Sequence, residues 1–248
     1  MASVIKKILN RNYHIYVTVH TLEQLNKVKE KYSEYDNITC LKLDITNKND
    51  YKKLDNIDIN VFIANAAIGM SGSISELPIE KLREVFETNV FSNFELIQYI
   101  LKKMIKKDSG KIIIMSSLAG IIPISFLGPY GASKSSIIKL TETLRKELKL
   151  ITNNIKLVLV EPGLYKTGFN LFMFEKKYSW MDKNSYFKEE LDFIRSKENI
   201  IMKLFEYKDF DSISNPIVKA IENENSKFLI KKPFLQAIGA KIYLLFKS

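Results

Sequence analysis

Tyr130 and Lys134 stand four residues apart in "GPYGASKSS", behind a proline, Pro129, that is suited to begin a helix. At that spacing both side chains share one helix face. A phenol with a pKa of about 10 is a poor acid or base near neutrality, but an ammonium beside it favours the phenolate and fits it for proton transfer. Thirteen residues earlier the run "KIIIMSS" ends on Ser117, whose hydroxyl could bond the same substrate oxygen that Tyr130 protonates. A Tyr and a Lys at helical spacing are usually mere surface neighbours. The serine, the small-residue turn of "VFIANAAIG" beside Asn65, and Asn89 in "ETNVFSN" lift the pair above that reading.

These residues need a scaffold, and the chain reads as one. Short β-branched runs ("HIYVTV", "ITCLKLD", "DINVFIAN", "GKIIIMSS", "NIKLVLVEPG", "KFLI") alternate with helical patterns, the longest being "PIEKLREVFETNVFSNFELIQYILKKMIKK". Near-continuous apolar strands alternating with helices predict a doubly wound, mostly parallel α/β sheet with helices on both faces. A single domain over residues 1–248 is expected, with 165–210 breaking the rhythm as an aromatic-rich insertion where ligands of such sheets are covered.

In this order and spacing the residues resemble the short-chain dehydrogenase/reductase family over almost the whole chain. The resemblance implies a Rossmann-like oxidoreductase that transfers a hydride between a nicotinamide cofactor and a small substrate. Tyr130 would be the general acid/base, Lys134 the residue that lowers its pKa and holds the nicotinamide ribose, Ser117 the clamp on the substrate oxygen, and Asn89 the anchor of a relay water. Asp44 in "DIT" would contact adenine, with Asn65 and Ala66 in the next strand-end turn. Pro162, Gly163, Tyr165 and Thr167 of "EPGLYKT" would pass the nicotinamide carboxamide. No metal is expected.

The sequence departs from the family in two places. Its Asn-Asn-Ala-Gly turn reads Ala64, Asn65, Ala66, Ala67 here, so Ala67 would be strained if that position needs φ > 0. Of nine glycines the first is Gly69, so no glycine-rich phosphate loop precedes the first helix, Ala2 to Leu9, and the strand before it is missing too. The absent strand would be central, leaving "HIYVTV" and "DINVFIAN" to face a gap of roughly 10 Å. Unpaired buried backbone groups cost on the order of 1 to 3 kcal/mol each. The two strands are therefore expected to close on each other or to leave the sheet unstable, and the arrangement suits a Met1 that is internal to a longer reading frame. The chain beginning at Met1 is expected to bind NADP(H) poorly, and a non-catalytic binding or scaffold protein derived from this fold is the alternative function.

Cofactor choice leans to NADP over NAD, because Val19, His20 and Thr21 end the strand where an acidic residue would take a ribose hydroxyl. His20 is equally readable as a surface imidazole. The aromatic cover points to an apolar alcohol or ketone as substrate, and a homo-oligomer is expected.

The net charge of +10 (38 basic, 28 acidic) includes only four Arg among scattered Lys, which argues for a solvated surface and against nucleic acid. The lone Cys40 can make no internal disulfide, which fits a reducing cytoplasm. In the tail, Leu235, Ile238, Ile242 and Leu245 recur at helical spacing beside Lys241 and Lys247. Two readings stay open for it: a helix packed on the fold or on a second subunit, and a helix lying on an anionic bilayer.

Overall fold

The computed structural model describes residues 1–181 and 184–246; Asp182 and Lys183 of the 165–210 segment, and Lys247 of the tail, lie outside the described residues. The first half runs α1 (Ala2–Ile8), β1 (Ile15–Val19), α2 (Leu22–Lys31), β2 (Ile38–Lys42), the single turn α3 (Lys48–Tyr51), β3 (Val61–Ala64), α4 (Ile79–Phe86) and α5 (Asn93–Lys107). There follow β4 (Gly110–Met115), α6 (Gly128–Leu148), β5 (Ile155–Pro162), α7 (Phe169–Lys176), α8 (Leu191–Phe205), α9 (Asp211–Glu222), β6 (Leu229–Lys232) and α10 (Phe234–Phe246).

Local chemistry explains the boundaries. Thr21 and Gln24 form a reciprocal capping box that starts α2. Asp108, in the left-handed region at φ 48°, turns the chain from α5 into β4. The long helical pattern after Pro78 is not one α-helix. Between α4 and α5 it passes through a π-helical stretch, Glu87–Ser92, which contains Asn89. Such wide turns are common at functional sites because they release backbone groups from the helical ladder.

The strands β3, β4, β5 and β6 pair in that order, all parallel. Strand period sorts the core into two layers. Ile112 and Ile114 pack with Leu157, Leu96, Ile97, Ile100 and Ile137 on the face covered by α5 and α6. Ile113 packs with Val158, Val160, Val4, Ile8, Ile217 and Ile230 on the face covered by α1 and α9. β6 begins two residues later than the apolar run "KFLI" suggests. Its limits follow pairing with Leu159–Pro162, and Lys231 lies 2.7 Å from the buried Glu161 carboxylate.

β1 and β2 form a second parallel sheet of their own. The expectation that β1 and β3 close on each other is therefore corrected: β1 pairs only with β2, and β3 only with β4. The assumption that failed was full burial. β1 alternates between half-buried and exposed residues and is not a strand of the dry interior. Side chains link the two sheets instead. Val4 and Ile8 of α1 lie in one cluster with Ile15 of β1, Val61 and Ile63 of β3, and Ile113 of β4. Lys7 and Arg11 tie the same region to Asp211 and Glu222 of α9.

Candidate active site

Pro129 lies in the first turn of α6, and this helix carries Tyr130 and Lys134 into the protein rather than along its surface: both are buried. Glycine permits the approach. A Cβ on Gly120 would stand 2.7 Å from the backbone carbon of Lys134, so only glycine lets α6 press on the turn that follows Ser117. That turn, Leu118–Gly120, is capped by Ser117 Oγ, which accepts from Ala119 N at 3.1 Å and donates to the Pro162 carbonyl at 3.4 Å. Three segments from the carboxyl ends of β4 and β5 and the start of α6 thus meet at one point.

Burial sets the electrostatics. The Tyr130 phenol is pushed up to about 12 by desolvation, and Ser117 is close enough to pull it partly back. The direction is opposite to that expected from a neighbouring ammonium. Lys134 Nζ lies 5.7 Å from the ring centroid, and the apolar cup of Leu127, Met173, Phe174 and Phe169 around the phenol outweighs it. Desolvation also brings the Lys134 ammonium down to about 8.

Lys134 is unlike the other buried lysines. Lys111 donates to three carbonyls, those of Ala220, Ile221 and Asn223, and Lys177 is held by the Phe174 carbonyl and the Glu198 carboxylate. Lys134, only 3% exposed, has one partner among the described residues, the Met115 carbonyl at 3.1 Å. An ammonium carries three donors, so two are left over beside Tyr130.

Asn89 is fully buried on the π-helical stretch. Its amide accepts from Ile68 N at 2.8 Å and donates to the Ile68 carbonyl at 2.9 Å and to Ser133 Oγ at 3.0 Å, which fixes the turn after β3 against α6. In that turn Asn65 and Ala66 are exposed, and Asn93 holds the Ala66 carbonyl at 2.8 Å. Ala67 is not among the residues of positive φ, so the strain foreseen there is absent. An Asn89→Ala replacement strands both Ile68 groups and is expected to cost on the order of 3 kcal/mol, read from the urea unfolding midpoint.

The remaining candidates fall in two places. At the end of β5, Pro162 and Gly163 are half-buried beside Ser117, whereas the Tyr165 hydroxyl is bonded to Ser212 at 2.8 Å, with its ring against Tyr207 and Phe210. Thr167 is exposed and accepts from Phe169 N at the start of α7. At the ends of β1 and β2, His20 and Asp44 come together at 3.3 Å. Burial raises the Asp44 carboxyl, but the Thr46 hydroxyl and N–H, with His20 and Lys42, outweigh it and hold the group below its ordinary value.

Three contributors carry no motif and escape sequence reasoning. Phe169 places its ring 5.8 Å from that of Tyr130. Ser133 joins the Tyr130 carbonyl to Asn89. Gln236 of α10 accepts from Leu164 N at 2.8 Å and donates to the Phe205 carbonyl at 2.8 Å, locking the segment after Gly163 to α8 and α10. Only the three-residue periodicity placing Ser133 after Tyr130 on α6 hinted at any of these contacts.

Comparison with known proteins agrees with this arrangement. The family model described as short chain dehydrogenase matches residues 2–177. An NADPH-dependent 3-dehydrocapnine reductase from Ornithobacterium rhinotracheale is 30% identical over 175 residues, 66% of this chain and 61% of the relative. A probable short-chain type dehydrogenase/reductase, VdlC, from Helicobacter pylori is 30% identical over 176 residues, 68% of this chain and 62% of the relative. The chain thus matches about three fifths of the length of these curated relatives. Among solved structures, a short chain dehydrogenase/reductase from Burkholderia phymatum in complex with NAD superposes with a TM-score of 0.79 at 17% identity, covering 98% of this chain and 90% of that one. A short-chain dehydrogenase from Streptomyces avermitilis gives 0.78 at 21%, covering 98% and 88%. By the match of the family model over residues 2–177, this chain belongs to the short chain dehydrogenase family.

Proposed function

We propose that this protein is an NADP(H)-dependent reductase of an apolar ketone, working as one domain over residues 1–248 with 165–210 as the cover of the substrate. The observation that carries the reading is Lys134: a buried ammonium with two donors unused beside a buried phenol is costly for folding alone and suits a pair of ribose hydroxyls. A scaffold protein has no use for it. The nicotinamide end of a dinucleotide therefore fits the residues present. A glycine-rich turn for its pyrophosphate is not among them, since the first glycine is Gly69.

When bound, the nicotinamide supplies or accepts the hydride. Everything else falls to the chain. Ser117 Oγ holds the substrate oxygen, and Tyr130 Oη passes it a proton. Lys134 holds the ribose. Pro162 and Gly163, with Tyr165 and Thr167 beyond them, border the carboxamide. The Asn89 carbonyl, which accepts from Asn93 Nδ2 at 3.3 Å, anchors the water that returns a proton toward Lys134. Asn65 and Ala66 line the dinucleotide, and Asp44 takes the adenine. A phenol whose pKa is pushed up to about 12 is protonated near neutrality and serves as an acid, which favours reduction over oxidation. Reductases among the relatives support that direction, and the apolar cup around Tyr130 supports an apolar ketone. Free Cys40 suits a reducing cytoplasm, and the exposed Phe91 and Leu140 suit a homo-oligomer.

The test is NADPH consumption by the protein with a panel of apolar ketones; failure with every ketone would sink the reading. His20 sets the cofactor choice through a 2′-phosphate. A His20→Glu variant is expected to lower kcat/KM with NADPH at least tenfold while that with NADH holds or rises, and an unchanged ratio would remove His20 from the site.

A further inference from the structure

α10 stands on a small apolar foot. Ala237 and Ala240 are buried against Leu118, Ile121 and Ile122, the segment that follows Ser117. Beyond that foot every residue from Lys241 to Phe246 is exposed: Lys, Ile, Tyr, Leu, Leu, Phe. Leu235, Leu245 and Phe246 are each at least 80% exposed. The hydrogen bond from Gln236 to the Phe205 carbonyl seats the start of α10 against the end of α8, where Ile200, Ile201, Leu204 and Phe205 are exposed as well. Both helices thus carry several exposed apolar side chains, more than single exposed residues explain.

Charge and geometry select the occupant. From Ser226 to the end the sequence carries five lysines and no acidic residue. A second copy joined across a two-fold axis at this helix would set Lys241 against its own image, with no acidic residue of the segment to offset it. Six consecutive exposed residues at 100° each point all round the helix axis, so a flat partner face would cover only one side of them. A soft bilayer surface, into which side chains sink to different depths, covers more of them than a rigid flat face does. Thirteen residues span about 20 Å, short of the ~30 Å hydrocarbon core, and no helix among the described residues is long and apolar enough to cross a membrane.

We propose that α10, with the end of α8, docks on the surface of an anionic bilayer, its apolar side chains in the headgroup–acyl boundary and Lys241 among the phosphates. The docked surface adjoins the active site through two links already described, the Leu118–Ile122 segment and Gln236, so an apolar substrate dissolved in the membrane would enter beside Tyr130. Docking itself needs no catalysis, and its failure is separable from failure of the reductase reading.

The test is co-sedimentation with vesicles of phosphatidylcholine alone or mixed with phosphatidylserine, for the protein and for a Leu235→Glu, Leu245→Glu, Phe246→Glu triple variant. All three positions are exposed, so the variant should melt as the parent does. The expected result is sedimentation with the mixed vesicles that weakens in high salt and falls at least tenfold in the triple variant. Absence of binding to the mixed vesicles, or equal binding by parent and variant, overturns the proposal. A dimer on gel filtration that the triple variant dissociates, without vesicle binding, overturns it in favour of a second copy.

Discussion

Replacing Tyr130 by Phe is expected to lower kcat for ketone reduction by 10²- to 10⁴-fold while changing NADPH affinity little, because only the transferable proton is lost. The ring that packs against Phe169 and in the apolar cup is kept, so melting should be nearly unchanged. Steady-state kinetics, together with calorimetric binding of NADPH, separate the two effects. More than about a tenth of the parent kcat would remove Tyr130 from the chemistry. Reduction should be nearly flat in rate from mild acid to neutrality, since a phenol raised to about 12 keeps its proton there. Oxidation of the alcohol should rise with pH.

Two buried lysines give the second large contrast. Lys111→Met strands three carbonyl groups and is expected to destabilise the fold by on the order of 3 kcal/mol. Lys134→Met strands one and removes a desolvated charge, so stability should hold or rise, while NADPH affinity should fall at least tenfold. The sign of the pH dependence follows from the depressed pKa. Lys134 goes from 10.5 to about 8 on folding, so below pH 8 the folded state bears the full cost of the buried charge, on the order of 3 kcal/mol. As pH rises from 8 to 10.5 the unfolded chain still holds the proton that the folded one has released, and stability grows. The advantage of Lys134→Met over the parent should therefore be largest below pH 8 and fade above it. Urea midpoints at several pH values check this. Equal loss of stability in the two variants would mean that Lys134 is a structural lysine like Lys111.

Much of this was written in local pattern. The alternation that places Ile112 and Ile114 on one face and Ile113 on the other is a period of two that any reader of "KIIIM" can follow. Tyr130, Lys134 and Ser117 were legible because helical spacing and a strand end bring them together over few residues. What escaped depends on contacts far apart in sequence or on burial. Gln236 reaches Leu164 across 72 residues. The π-helical turn at Asn89 looks like ordinary helix in its residue types. The direction of the Tyr130 shift was misjudged because desolvation by Leu127, Met173 and Phe174 cannot be read from a neighbouring lysine. Closure of β1 on β3, or an unstable sheet, was expected from a rule about buried strands; β1 pairs only with β2 and alternates between half-buried and exposed residues.

The central claim is that Ser117, Tyr130 and Lys134 serve hydride transfer to a carbonyl carbon. It is tested most directly by incubating the protein with NADPH deuterated at the transferable nicotinamide position and an apolar ketone, then weighing the product by mass spectrometry. The account predicts an alcohol carrying one deuterium on the former carbonyl carbon, formed by the parent and nearly absent with Tyr130→Phe. Alcohol without the label, or the same labelled yield from both proteins, would contradict it.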